Sequence, residues 1–173
     1  FFCCFSRAKK IQLREFTIWM SLLLKIDNSV LWLLEPNELA KENIILEAKR
    51  MGIECNRIFF SKNIDLRDHI SRQKCADLVL DTFNFSSGVM ACLALKSGLP
   101  ILTLPGRTYS SRLTASILNS LGLKELISES EEDYERKALE LAFNKDKVNQ
   151  IKLKIDSLKL SSPYFNSNQY CAD

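Results

Sequence analysis

The stretch from Ala76 to Arg112 constrains the fold more than any other part of the chain. An apolar run, Leu78–Leu80, ends in Asp81-Thr82, and a serine-containing loop then closes at Gly88. An apolar helical segment follows, stops at Gly98, and gives way to a second apolar run after Pro100. Strand, loop, helix and strand in that order make a βαβ unit. Its loop lies where the carboxyl end of a strand feeds a helix N-terminus. Main-chain N–H groups and the positive end of the helix dipole face outward there, which suits a phosphate.

The same alternation runs through the chain. Phe1–Phe5 reads as a buried strand, and Gln12–Ile26 as an amphipathic helix with Leu13, Phe16, Met20, Leu23 and Leu24 at helical spacing. Val30–Leu34 is a strand. Glu38–Met51 is a helix with Leu39, Ile44, Ile45 and Ala48 inward and Gly52 as its stop. Arg57–Phe60 is a strand and Leu66–Arg72 a short helix. Beyond the βαβ unit come a helix Ser110–Leu121, a short strand Leu126-Ile127, a helix Glu131–Phe143 opened by Ser130 with Asp133, and a helix Lys147–Leu158. Strands apolar on both faces, alternating with helices, demand a parallel sheet covered on both sides. The expectation is an α/β, Rossmann-like doubly wound sheet of five or six strands over residues 1–160. Residues 161–173 would begin a further segment, with Tyr170 opening a helix, as in a fragment of a longer protein.

Composition excludes several classes. With 46% hydrophobic and 26% charged residues the chain is neither disordered nor membrane-embedded in character. Its 24 basic and 21 acidic residues are interspersed, unlike the clustered basic stripe of a nucleic-acid binder. No apolar run is long enough to span a bilayer. The cysteines Cys3, Cys4, Cys55, Cys75, Cys92 and Cys171 form no C-x-x-C pair and no zinc-type spacing with the single histidine. Cys4, Cys75 and Cys92 lie in apolar segments and read as small buried hydrophobes of a reducing compartment, the cytoplasm. No metal site is expected.

In a doubly wound sheet, ligands bind outside the carboxyl ends of the strands. The loops there are Ser6–Lys10, Glu35–Asn37, Ser61–Asp65, Thr82–Gly88 and Pro105–Thr108, which gather Arg7, Lys9, Lys10, Lys62 and Arg107 with serines and glycines. Cations, hydroxyls and glycines at one edge fit a phosphorylated ligand, although solvated loop cations would look the same. A G-x-G-x-x-G fingerprint, a Walker-type loop and a G-x-S-x-G elbow are all absent. His69, three residues before Arg72 on one helical face, is either a surface histidine or half of a stacking pair for a base.

Five ordered blocks carry a resemblance. They are VLWLLE (30–35), NRIFFS (56–61), ADLVLDTF (76–83), SGLPILTLPGRTYSSRLTASIL (97–118) and SSPYFNSNQY (161–170). In this order they resemble the C-terminal catalytic half of the O-linked N-acetylglucosamine transferases and their Spindly-like relatives. The resemblance implies the second, nucleotide-sugar-binding lobe of a GT-B glycosyltransferase, usually preceded by a first lobe and TPR repeats that meet the protein acceptor. The donor would be UDP-GlcNAc or a related UDP-sugar, with no metal or organic cofactor and with neither nucleic acid nor membrane as partner. The family's phosphate-binding lysine, before Ile, matches Lys10. Its His-x-x-Arg pair against the uracil matches His69 and Arg72, which favours the stacking role.

The family's phosphate loop, Asn-(Gly/Ala)-His-Thr-Thr with Asp three residues on, falls on Ser86-Ser87-Gly88-Val89-Met90 and Leu93. Two threonine hydroxyls, a histidine and a carboxylate are thus replaced. At roughly 1 kcal/mol per neutral contact and 1.5–3 for a charged one, the loss is about two to four decades of donor affinity. The implied binding residues are Lys10, His69, Arg72, Ser86, Ser87, Gly88 and Val89. No catalytic residue is implied, because the family's catalytic-base candidates lie in the first lobe. Two functions follow: the donor lobe of a sugar transferase acting on Ser/Thr hydroxyls, or a non-catalytic descendant kept as a nucleotide-binding or protein-interaction module.

Overall fold

The computed structural model describes residues 1–165. Five strands, β1 (Phe2–Cys4), β2 (Leu31–Leu34), β3 (Ile58–Ser61), β4 (Leu78–Leu80) and β5 (Ile101–Leu102), form one all-parallel sheet in the order β3-β2-β1-β4-β5. Seven helices accompany them: α1 (Leu13–Lys25), α2 (Glu38–Arg50), α3 (Leu66–Gln73), α4 (Val89–Ser97), α5 (Tyr109–Ser120), α6 (Glu131–Phe143) and α7 (Lys145–Ser161). The register is direct, with Phe2 opposite both Leu31 and Leu78, and Leu33 opposite Phe60. The doubly wound α/β expectation holds. The sixth strand does not form: Lys124–Leu126 is a 3-10 turn, and Ile127 only bridges Thr103. Residues 166–170 of the last block of the resemblance and the helix expected at Tyr170 fall outside the described residues.

Winding outward from β1 in both directions explains the layers. Right-handed crossovers place α1 and α2 on one face and, after the strand order reverses, α3 and α4 on the other. The contacts of α1 with α6 and of α3 with α4 follow that division. The central strands are buried on both sides (Cys3, Cys4, Leu31, Leu33, Leu80), as a covered parallel sheet requires. Along α1, Phe16, Trp19, Met20, Leu22 and Leu23 are inward, but Leu13 and Leu24 are exposed. Leu39 of α2 is exposed as well, because a first-turn residue projects beyond the sheet. Cys4 is buried as expected; Cys75, in the turn that leaves α3, is exposed, and Cys92 is half-buried on α4.

Caps set the helix starts. Asn37, Asp65, Thr108 and Ser130 each accept a main-chain N–H of the first turn, from Ala40, Asp68, Ser111 and Asp133. Helix α4 differs, since its N-cap is Gly88 at φ 50°, ψ −111°, with no capping side chain. That conformation suits glycine and little else.

Candidate functional site

The strand order reverses between β1 and β4, so the loops after these two strands part and leave a crevice at their carboxyl ends. A cavity of about 980 Å³ occupies this position. The loop after β1 contributes Ser6, Arg7, Lys9 and Lys10; β2 ends there with Leu34 and Glu35; the approach to α3 adds Asn63, Ile64 and Leu66. Helix α3 adds His69 and Arg72, and the far wall is Asn84, Phe85, Met90 and Leu93. Four of the five expected loops therefore converge. The fifth, Pro105–Thr108, lies aside with its Pro105 and Gly106 lining a separate depression, and Arg107 is not part of the crevice wall. Lys62 takes part through its carbonyl alone, which accepts from Arg72 Nη1 at 2.8 Å.

Phe5, buried at the end of β1, is the platform of the basic wall. Its ring meets Trp32 edge-on at 5.1 Å and His69 edge-on at 5.2 Å, and the Arg72 guanidinium lies over it at 4.5 Å. Arg72 Nε donates to His69 Nδ1 at 3.0 Å. Nδ1 is therefore the acceptor and the ring proton sits on Nε2, which faces the Gln73 side-chain amide at 2.9 Å. The Gln73 amide oxygen has no partner, and turning the amide to present that oxygen gives the His69 Nε2–H its acceptor. Burial, reinforced by the Arg72 charge, holds the His69 pKa below its ordinary value. His69 is only 6% exposed, so it offers little ring surface to a base; it aims Arg72, whose Nη2 has no partner among the described residues.

Asp81 is the residue that sequence reasoning missed. It is fully buried at the end of β4. Oδ1 accepts from the N–H groups of Thr82 (2.9 Å) and Ser87 (2.8 Å) and from Ser87 Oγ (2.6 Å), while Oδ2 accepts from Thr103 Oγ1 (2.7 Å). The signal was present as a charged residue closing an apolar strand, a place where a carboxylate survives only if it is fully hydrogen-bonded. Burial pushes the Asp81 pKa up, and the hydroxyls of Ser87, Thr103 and Thr114 pull it partly back.

This network reassigns the loop serines. Ser87 is spent on Asp81. Ser86 is fully buried, donates to the Ser110 carbonyl at 2.8 Å and accepts from the Thr114 N–H at 3.3 Å. Both hold the loop rather than face the crevice. The N–H groups of Gly88 and Val89 take no main-chain acceptor among the described residues, so the helix N-terminus keeps two donors for a ligand. Lys10 lines the crevice together with Met90 of the first turn of α4, and its ammonium lies 4.0 Å from the centroid of the Phe85 ring. Burial lowers the Lys10 pKa, and Asp81 offsets part of that effect. Among the described residues no group of three or more His, Cys, Asp or Glu side chains could hold a metal ion.

Lys10 and Arg72 thus share a crevice at the sheet's switch point with Met90 of the first turn of α4, a setting whose charge suits an anion. The comparisons with known proteins agree on its setting. The glycosyl transferase family 41 model matches residues 1–173. The UDP-N-acetylglucosamine–peptide N-acetylglucosaminyltransferase of Caenorhabditis elegans is 30% identical over 99% of this chain, which spans 15% of that protein. A probable enzyme of the same description, SEC of Arabidopsis thaliana, is 29% identical over 98% of the chain and 17% of its own length. The chain thus covers only a small part of these curated relatives. Among solved structures, a mutant Thermobaculum terrenum O-GlcNAc transferase superposes with a TM-score of 0.90 at 24% identity, over 97% of this chain and 32% of that one. WaaG, a glycosyltransferase of lipopolysaccharide biosynthesis, shares the fold at a TM-score of 0.75 and 16% identity, over 99% of this chain and 45% of its own. On its sequence from end to end, and with a fold that agrees, this chain belongs to glycosyl transferase family 41.

Proposed function

We propose that these residues form the donor-nucleotide lobe of a UDP-sugar-dependent protein glycosyltransferase, working within a longer protein that transfers the sugar to Ser or Thr hydroxyls. The observation that carries this reading is the convergence of Lys10, Arg72 and Met90, in the first turn of α4, on one crevice at the sheet's switch point. Lys10 neutralises the diphosphate as it leaves, and the N–H groups of Gly88 and Val89 take its remaining oxygens. Arg72, held flat on Phe5, presents a planar cation to the base. The base for the acceptor hydroxyl comes from outside this lobe, because His69, its single histidine, is buried and committed to Arg72. Acceptor recognition belongs to a first lobe and helical repeats elsewhere in the longer protein. The five described cysteines are all free thiols, which suits the cytoplasm.

One observation favours a second reading, a lobe that no longer recognises the diphosphate and is kept for protein contact. The α4 side of the crevice presents Phe85, Met90 and Leu93, with no hydroxyl or carboxylate aimed at a ribose or diphosphate. Calorimetric titration with UDP and with uridine separates the two. The donor-lobe reading expects weak UDP binding that exceeds uridine binding, falls about tenfold or more in Lys10→Ala, and loses salt dependence in that variant, since a charge–phosphate contact is screened. Equal binding of UDP and uridine, unaffected by Lys10→Ala, favours the second reading.

A further inference from the structure

The Lys10 ammonium does not hang free in the crevice. It lies over the face of Phe85 at 4.0 Å, and no carboxylate among the described residues pairs with it. Phe85 is itself 47% exposed, an unusual state for a phenylalanine beside a polar ligand site. Its backbone is pinned on both sides: the Phe85 carbonyl accepts from Thr82 Oγ1 at 2.7 Å, and the next residue, Ser86, is bonded to Ser110 and Thr114. These bonds hold the Phe85 backbone in place beside Lys10, whose side chain is long and rotamer-rich. A ring face that attracts the cation removes conformers the ammonium would otherwise lose on binding, and shields it from water on one side. Its three N–H donors remain available, because a ring face saturates none of them.

We infer that Phe85 is a positioning residue for phosphate recognition: through its cation–π contact it holds Lys10 in the geometry that meets the anion. The claim rests on the proposed donor-lobe reading only for the identity of the anion. It also accounts for an aromatic residue in a loop short of hydroxyls, since preorganising the one cation recovers part of the affinity. The alternative physical picture, in which the ring competes with phosphate for the ammonium, predicts the opposite sign.

The test measures inorganic pyrophosphate and UDP affinity, by calorimetry on the same chain, for wild type, Phe85→Leu, Phe85→Tyr, Lys10→Ala and the Phe85→Leu/Lys10→Ala double variant. Leucine keeps the apolar bulk without the π face, and tyrosine keeps the face. The expected results are a loss of about three- to fivefold in pyrophosphate affinity for Phe85→Leu, the scale of one part-exposed cation–π contact. Phe85→Tyr should bind as wild type, and Phe85→Leu should have no further effect once Lys10 is alanine. A purely structural role would reduce affinity in the Lys10→Ala background too, which overturns the inference. Unchanged or tighter pyrophosphate binding by a folded Phe85→Leu chain overturns it as well, as does wild type that binds no pyrophosphate. If pyrophosphate binding depends on Phe85 but UDP gains nothing over pyrophosphate, the positioning role stands and the donor-lobe reading fails. If UDP binds better than pyrophosphate while Phe85→Leu is neutral, the reverse holds.

Discussion

Two side chains, His69 in the crevice wall and Asp81 buried behind its loop, respond to pH in opposite senses. His69 has its folded pKa held below 6.5 by burial and by Arg72. A depressed basic group contributes stability that is complete above its unfolded pKa and is lost as pH falls through and below that value. Protonating Nδ1 would also set two donors face to face, since Arg72 Nε already points at it. Both thermal stability and UDP affinity are therefore expected to fall as pH drops below about 6.5, and a His69→Gln chain should lose that dependence. Asp81 acts the other way: its folded pKa lies above 3.8, so its contribution is complete below the unfolded value and declines as pH rises through the folded one. Asparagine can keep its oxygen on the Thr82 and Ser87 N–H groups and donate to Thr103. Asp81→Asn should thus be at least as stable as wild type at pH 7, whereas Asp81→Ala strands the buried donors and costs about 3 kcal/mol or more, both read from denaturant midpoints. Residue identity told only part of this. Lys10 and Arg72 were legible as cations near a phosphate loop, but whether His69 faces ligand or arginine depends on Phe5 and Gln73, which no sequence spacing brings together.

At the scale of elements, the proposed diphosphate contact turns on the start of α4. Gly88 sits at φ 50°, with the nearest neighbour to a would-be Cβ being Leu113 Cδ1 at 3.5 Å. Space is available, yet the backbone conformation is not one that other residues adopt cheaply. Writing the family's histidine into position 88 therefore strains the turn, and Gly88→His is expected to destabilise the chain while restoring nothing. The neighbouring positions are open to change. Val89 is 74% exposed and Met90 and Leu93 line the crevice, so Val89→Thr, Met90→Thr and Leu93→Asp together should strengthen UDP binding by tenfold or more, measured by calorimetry. The elements themselves were readable from apolar periodicity and caps, with ends within a few residues. The exception was 126–127: two apolar residues look like a strand, but a 3-10 turn leaves Ile127 only a bridge to Thr103. Ser86 and Ser87 looked like ligand hydroxyls because a sequence does not show that α5 holds the first and the buried Asp81 behind the loop holds the second.

For the whole molecule, the topology explains why weakly related parts still make one site. Each strand of the β3-β2-β1-β4-β5 sheet brings its carboxyl end to the same edge, so β1, β2, β4 and α3, distant in the chain, all reach the crevice. The alternating pattern made that architecture predictable; the separate position of Pro105–Thr108 was not, because it depends on how far the sheet's twist carries β5 from the switch point. The central claim is that the crevice, and no other depression on the surface, is the nucleotide site. Chemical-shift mapping of the isotopically labelled chain during UDP titration tests it most directly. The account predicts saturable shifts at Lys10, Arg72, Gly88 and Val89, and their disappearance in Lys10→Ala. Saturable shifts confined to another surface, or none at these four residues with UDP at about ten millimolar, a range that spans the weak affinity expected of the altered loop, would contradict it.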